Sequence, residues 1–468
     1  MLEFLHLPLL TAATVIPAAT ALVVRRSSDP ELTRKLSAFG VVASMVCLIS
    51  AVWMRATSGH DTLFESLWNG LEVDVFNGPI LILYAALTLV TILVAPRRDA
   101  SGGFMAGILF MFAASILAYA GSHLWVVVLG WWLTGLPFVF GVFSGARHRR
   151  HHQPVIIALI LSGIAISVAA MMVGPNEMDF SHGSTAAMVL LIIAVVLRKG
   201  IFPAHSWLVR AFEFGSPLAT ALFFNGHLGA LIIVRAESTH LAAPAQQALH
   251  YLSWAALFTA LYTSLLMIAE RKPRRILALL CVSQAAFVLA GLCSANEAGI
   301  AGSLVHWMVV AAASTGLVCV YRALEVRFAH VEDLDRYLGL SAHTPRLGVF
   351  FLVCGLALVG LPGTLGYCAE DLLFHGALES EPFLGIALLL ATALNAIHLF
   401  RLYSRLFLGQ PPTEVPVVPD ALPRERWPLT FCVAFLIIGG ILPSMIVAVR
   451  SPAAEIIATA LGLGHGGH

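Results

Sequence analysis

Charge is what this chain has least of: Asp, Glu, Lys and Arg together make up 11% of its 468 residues, against roughly a quarter in a soluble domain. With 59% hydrophobic residues and a mean hydropathy of +0.87, the composition excludes a water-soluble fold and indicates a polytopic membrane protein. The 27 basic and 26 acidic residues leave a formal charge of +1, so nothing marks the chain for nucleic acid, and its basic residues read as topology signals. A phosphate loop, an HExxH helix and a nucleophile elbow are all missing, so no catalytic residue, metal site or cofactor is indicated. Gly462, Gly464 and Gly467 formally fit a GxGxxG spacing, but no helix follows them. The seven cysteines form no CxxC and lie in or beside apolar runs, as packing residues do. No basic stretch precedes the first apolar run, and Arg25 and Arg26 follow it, so a cleaved signal is not expected.

What is present is a succession of apolar runs of about 17 to 25 residues, each long enough to span a bilayer. They number about fourteen: 4–24, 36–54, 78–96, 103–121, 123–143, 154–174, 185–203, 217–235, 251–269, 276–293, 299–321, 347–366, 385–407 and 429–449. Lys and Arg collect in the loops after odd-numbered spans, for example Arg97 and Arg98, Arg147 to Arg150, and Arg271 to Arg275. Cytoplasmic loops gather such residues, so both termini are expected on the non-cytoplasmic side of a cell (inner) membrane, with an even number of spans. The basic loop His148, Arg149, Arg150, His151 and His152 reads as a solvated turn, with metal or lipid headgroups as the alternative ligands.

Two spans are interrupted. The seventh breaks at KGIFP around Gly200 and Pro203, and the twelfth at LVGLPGTLGYCAED around Gly360, Pro362, Gly363 and Gly366. They lie five spans apart, and paired Gly/Pro interruptions at corresponding positions point to inverted repeats with an ion site at the broken helices. The expected organisation is therefore helices 1–3 in residues 1–102, repeats in 103–235 and 251–407, and a last helix and tail in 408–468.

Ionisable groups inside these spans are the candidate site, because a charge in lipid is costly and survives where it has work or a partner. Arg198 and Lys199 fall near the centre of span seven. A desolvated lysine can release its proton near neutral pH and act as a relay, or either cation can pair or snorkel structurally. His205, just past the break, can donate to freed carbonyls or carry protons. His227, His306 and His398 each fall in apolar helix, as relay groups or as core histidines. Glu370 and Asp371 follow the second break and either balance a cation or cap the resumed helix. Glu213 is placed to pair with Arg210 on one short amphipathic stretch.

The sequences RKGIFPAHSWL, ERKPRRILALLCVSQAAF (270–287) and HTPRLGVFFLVCGLALVGLPGTLGYCAED (343–371), with LEVDVFNGPILIL around Asp74, resemble the antiporter-like membrane subunits of respiratory complex I. That family is shared with membrane-bound hydrogenases, Mrp antiporters and the inorganic-carbon transporter subunit DabB. The resemblance covers roughly residues 70–410. It implies fourteen helices with two inverted five-helix repeats, discontinuous helices 7 and 12, and proton translocation through buried Lys, Glu and His. On this chain those positions map to Arg198, Lys199, His205, His227, His306, Glu370 and His398. Implied partners are other subunits of a membrane complex, either complex I or hydrogenase subunits or a DabA-like zinc protein that hydrates CO2, together with membrane lipid.

Three departures stand out. Trp132 occupies the place of a Glu in span five, His306 is followed by small apolar residues up to Ser314 and Thr315, and Arg198 rather than Lys199 matches the family lysine by its spacing to Pro203. The WxxTG pattern of Trp131 and Thr134, the stretch HSWLVRAFEFGSP and the compact length are similar to DabB. Asn225 and His227 stand near, but out of register with, the Asn and His of its eighth span. A scaffold subunit that no longer conducts is the third reading.

Overall fold

The computed structural model describes residues 4–463, apart from 6, 66–69, 145–150, 175–177, 182, 295, 329–330, 333 and 411–417. His148, Arg149 and Arg150 of the basic loop and Gly464 and Gly467 of the tail lie outside the described residues.

Apolar runs set the element order. After β1 (Phe4–Leu5) come α1 (Leu9–Val24) and α2 (Pro30–Ser58). Asp29 accepts the Glu31 N–H, Pro30 takes the first helical position, and Gly59 at φ 74° ends α2. β2 (Thr62–Glu65) and β3 (Glu72–Asp74) lead into α3 (Gly78–Val94), α4 (Gly102–Ala120), α5 (Leu124–Val139) and α6 (Gln153–Val173). β2 lies parallel to β1 and antiparallel to β3, with Phe64 opposite both Phe4 and Glu72. The expectation of an all-α chain thus omits a three-stranded sheet, in which short extended segments between helices satisfy their backbone groups by pairing.

Next come α7 (Thr185–Lys199), α8 (Ser206–Phe214), α9 (Pro217–Asn225), α10 (Leu228–Glu237), α11 (Ala243–Leu266), α12 (Pro273–Leu292) and α13 (Glu297–Arg327). α14 (Pro345–Leu358), α15 (Leu365–Ser380), α16 (Pro382–Phe407), α17 (Pro423–Ile441) and α18 (Pro443–Ala460) complete the chain. Counting α9 with α10, seven helices among the described residues are long and apolar enough to cross a membrane, or eight if α17 and α18 form one bent span. Four shorter apolar helices, α1, α3, α5 and α14, add to them.

Three differences from the sequence expectation matter. Span seven ends at Lys199, so Arg198 and Lys199 sit in the last turn of α7 rather than at mid-span, where a helix's carbonyl end favours cations. Span eight is itself broken, at Gly226 and His227. The last span turns by 86° at Leu442 and continues as α18.

α13 is the axis of the bundle. It is buried along nearly its whole length, and α3, α9, α12, α14, α15, α17 and α18 pack on it. Large apolar side chains point outward elsewhere, Phe39, Trp53 and Phe383 among them, as a lipid-facing surface permits. Arg235 of α10 holds Glu72 at 2.9 Å and also pairs with Asp74, while Arg450 of α18 donates to the carbonyls of Val75 and Phe76. The segment around β3 is thereby tied to one helix from the middle of the chain and one from its C-terminal part.

Candidate functional site

The break after α7 exposes backbone groups that lipid cannot satisfy, and the protein satisfies them itself. Gly200 takes a left-handed conformation (φ 63°) and donates to Val196 O. The indole of Trp207 donates to Leu197 O at 2.7 Å, and Thr259 of α11 accepts the Phe202 N–H at 3.0 Å. The freed Leu197 carbonyl is thus served by Trp207 rather than by His205. His205 instead lines a cavity of about 580 Å³ with Ser206, Arg210, Glu213, Glu270 and Arg275, and its Nδ1 has no hydrogen-bond partner. Glu213 does not pair with Arg210: it accepts from Lys272 at 2.7 Å and lies 3.5 Å from Arg275.

Consecutive residues on a helix point about 100° apart, so the two cations of α7 serve different neighbours. Arg198 turns to α5, donating to Trp131 O at 3.1 Å and to Thr134 Oγ1 at 2.6 Å. Its guanidinium lies between the rings of Trp131 and Phe223, 4.3 and 4.4 Å from their centroids. Among the described residues no carboxylate is paired with it; polar oxygens and ring faces stabilise the charge. Trp132, which stands where the family pattern has Glu, points to α6 instead: its indole donates to Ser167 and its ring fills the space that a side chain at Gly163 would need. Thr134 is therefore the α5 side chain that accepts a hydrogen bond from Arg198.

Lys199 turns inward to the unexpected break in span eight. His227 adopts φ 46°, a conformation uncommon for a residue with a Cβ, and among the described residues it is the only non-glycine there. The interruption leaves Phe224 O facing Lys199 Nζ at 3.1 Å and brings His227 Nδ1 to 2.9 Å from the same nitrogen. An ammonium donates to the imidazole, and a protonated imidazole donates to the amine, so one contact holds a proton on either side. The Phe224 ring lies 3.7 Å from Nζ. Gly229 is required one turn on, because a Cβ there would meet Lys199 Cγ at 2.8 Å.

The line continues through α13 and α12. The ring of Trp307 lies between His227 at 5.8 Å and Tyr119 at 6.4 Å, and the adjacent His306 shares a hydrogen bond with Gln284 Oε1 at 2.9 Å. Ser283, next to Gln284 on α12, accepts from Asn395 of α16 at 2.8 Å. His398 follows Asn395 by one turn and lies near the Ser264 backbone and Arg401. Arg401 caps the end of α11 through Met267 O and Ile268 O, and with Glu270, Asp335 and Arg405 it lines a second polar cavity of about 560 Å³. A second polar knot joins Asn225 to Thr315 at 2.9 Å and to Ser314 at 2.9 Å.

Lys199 thus meets His227, His306 meets Gln284, and Ser283, beside Gln284 in sequence, meets Asn395 one turn before His398, so Gln284, Ser283 and Asn395 join the expected residues. Sequence reasoning passed over those three, although polar residues inside apolar helices were the available signal. Glu370 stands apart at the second break. It sits in the second turn of α15, caps nothing, and its Oε1 has no hydrogen-bond partner among the described residues. Its Oε2 occupies the space beside Gly360 (φ 69°), 2.3 Å from where a Cβ would be. Among the described residues no group of three His, Cys, Asp or Glu is placed to hold a metal ion.

A bundle of interrupted helices threaded by buried amine, imidazole and amide groups defines an antiporter-like membrane subunit. Residues 154–395, a little over half of the chain, match the NADH:quinone oxidoreductase/Mrp antiporter transmembrane family, and the chain belongs to that proton-conducting family. It is 25% identical to subunit M of the NADH-quinone oxidoreductase of Rickettsia bellii (strain RML369-C) over 264 residues, 55% of this chain and 53% of the relative. It is 23% identical to the NAD(P)H-quinone oxidoreductase chain 4 1 of Synechococcus elongatus, over 91% of this chain and 86% of that one. The chain spans about half the length of the first of these relatives in its alignment. In fold it is similar to a chain of respiratory complex I from Thermus thermophilus (TM-score 0.83, 20% identity, 97% of this chain and 100% of that one). The Mrp complex of Dietzia sp. DQ12-45-1b gives a TM-score of 0.84 at 18% identity, over 98% and 100%.

Proposed function

We propose that this chain is a proton-conducting membrane subunit of a multi-subunit complex, passing protons through the bundle and coupling their flow to a partner. The observation that carries this is the Lys199–His227 contact at the meeting of two helix breaks; the contacts His306–Gln284 and Asn395–Ser283 are read as its continuation towards His398. Arg198 contributes a fixed charge beside the path, since a guanidinium does not give up its proton. His205 in its cavity and Glu370 at the second break are further path groups. Fourteen spans with inverted repeats in 103–235 and 251–407, both termini on the non-cytoplasmic face of the inner membrane, complete the reading; the paired breaks and the distribution of Arg and Lys support it.

The relatives named above are subunits of NADH:quinone oxidoreductases and of an Mrp complex, which favours partners of that type. Coupling to a CO2-hydrating zinc protein rests on the Trp131–Thr134 pattern, the stretch HSWLVRAFEFGSP and the compact length. Proton flux into liposomes carrying the chain, alone and with its co-purified subunits, tests the proposal. Flux abolished by Lys199→Ala in a protein that still assembles supports it; no flux above empty liposomes from natively assembled preparations overturns it in favour of a scaffold.

A further inference from the structure

A groove of about 630 Å³ runs along the outside of the bundle between α2, α3 and α17. Its walls are almost wholly apolar: Met45 and Ile49 on α2, Ala86 and Leu93 on α3, and Phe431 and Phe435 on α17. The lining residues of α3 extend from Pro79 to Leu93, a rise of ~21 Å, which exceeds the ~15 Å of one leaflet's hydrocarbon. The groove's volume is well below that of a helix ~10 Å across and ~21 Å long, so the groove takes something thinner.

Cations stand just past the groove's lining, where α3 ends after Leu93 and α17 begins before Trp427. Arg34 is buried at 3% exposure, holds Glu31 at 2.9 Å and Ala95 O at 3.0 Å, and has no partner for its Nε. Arg97 and Arg424 lie close enough to repel it, and the Nε of Arg424 is also buried without a partner. The nearby carboxylate of Glu425 is engaged by Arg327 at 2.6 Å. Among the described residues, Glu31 is then the carboxylate left to balance the charges of Arg34, Arg97 and Arg424, and a further anion would be stabilised there. Trp427, 66% exposed at the same end with Arg426 5.2 Å from its ring, is placed as interfacial tryptophans are.

We propose that this groove holds an acyl chain of an anionic phospholipid whose phosphate is bound by Arg97 and Arg424, with the buried charge of Arg34 behind them. The narrow apolar channel takes the chain, and the clustered guanidinium groups select the headgroup charge. The inference is independent of proton conduction.

The test is native mass spectrometry of the purified protein, delipidated and then titrated with phosphatidylglycerol or phosphatidylcholine. Wild type is expected to retain phosphatidylglycerol in preference to phosphatidylcholine. Arg97→Ala and Arg424→Ala are expected to weaken phosphatidylglycerol retention about fivefold each, leaving phosphatidylcholine unchanged. Ala86→Phe, which fills the channel, is expected to lower retention of both lipids, with an unchanged melting temperature establishing that the fold is intact. Equal retention of the two lipids, indifference to the arginine substitutions, or cross-linking of Ala86 to another subunit in place of lipid in the native complex overturns the proposal.

Discussion

Lys199 Nζ and His227 Nδ1 lie 2.9 Å apart because two helices break at the same place. α7 stops at Lys199 and α9 stops at Asn225, so each interruption presents its polar group to the other. Lys199→Arg keeps the positive charge but not a proton that can leave. Its expected proton flux is therefore as low as that of Lys199→Ala, both down about 100-fold, in the range typical for loss of a positioned acid–base group. A pH-sensitive dye inside liposomes reads the flux; an Arg variant that conducts normally would show that charge alone is needed.

Gln284 and Asn395 test the continuation of the line. Gln284→Leu removes the partner of His306 Nε2, and Asn395→Leu removes the donor to Ser283. Each is expected to cut flux at least tenfold while costing about 1–3 kcal/mol of stability, the usual cost of leaving a buried group unpaired. Flux and melting temperature measured on the same preparation separate a broken path from a damaged fold.

The breaks at Gly200–His205 and Gly360–Thr364 were legible because Gly and Pro together punctuate an apolar run. The break at Gly226–His227 was not, since a single glycine is common in membrane helices and nothing local marks a histidine for a left-handed backbone. Arg198 and Lys199 were legible as anomalies in lipid. Their opposite orientations were not, because these depend on which helices flank α7. The same limit applied to Trp132: motif alignment put it at the site of a Glu, whereas packing turned it to Gly163 and left Thr134 facing Arg198.

Thr134 accounts for how Arg198 is tolerated without a carboxylate. Thr134→Val keeps the shape and removes the 2.6 Å hydrogen bond to the guanidinium; bonds to a charged group are worth about 1.5–3 kcal/mol, and a loss of that size is expected in thermal unfolding. Trp132→Glu is not expected to offset it, because that side chain faces α6. A rescue of the Thr134→Val protein by Trp132→Glu would show that the α5 register differs from the one described.

Glu72, on β3 outside the helices, has its carboxyl pushed up to about 7 by burial, with the neighbouring Asp74 adding to the effect and Arg235 opposing it. The folded protein therefore holds this proton above the pH at which the unfolded chain has lost it. Stability from this group is fully present below about pH 4.5, the ordinary glutamate value, and is lost as pH rises towards about 7. Glu72→Gln is expected to flatten that part of the stability profile, measured as melting temperature against pH. An unchanged slope between those limits would remove Glu72 as its source.

Gly360 and Glu370 pose the sharpest question about the second break, because one position controls the other. A Cβ at Gly360 would stand 2.3 Å from Glu370 Oε2, and the backbone there has φ 69°. Gly360→Ala must therefore displace the carboxylate as well as accept a left-handed backbone, which costs roughly 1–2 kcal/mol. Glu370→Gln leaves the group where it is and removes only its ability to carry charge. If Glu370 relays protons, Glu370→Gln lowers flux about 100-fold with little change in melting temperature, and Gly360→Ala lowers both. If Glu370 merely fills the break, Glu370→Gln conducts as wild type does and Gly360→Ala shows only its loss of stability. Flux and melting temperature of the two variants together assign the second broken helix to the path or to the scaffold.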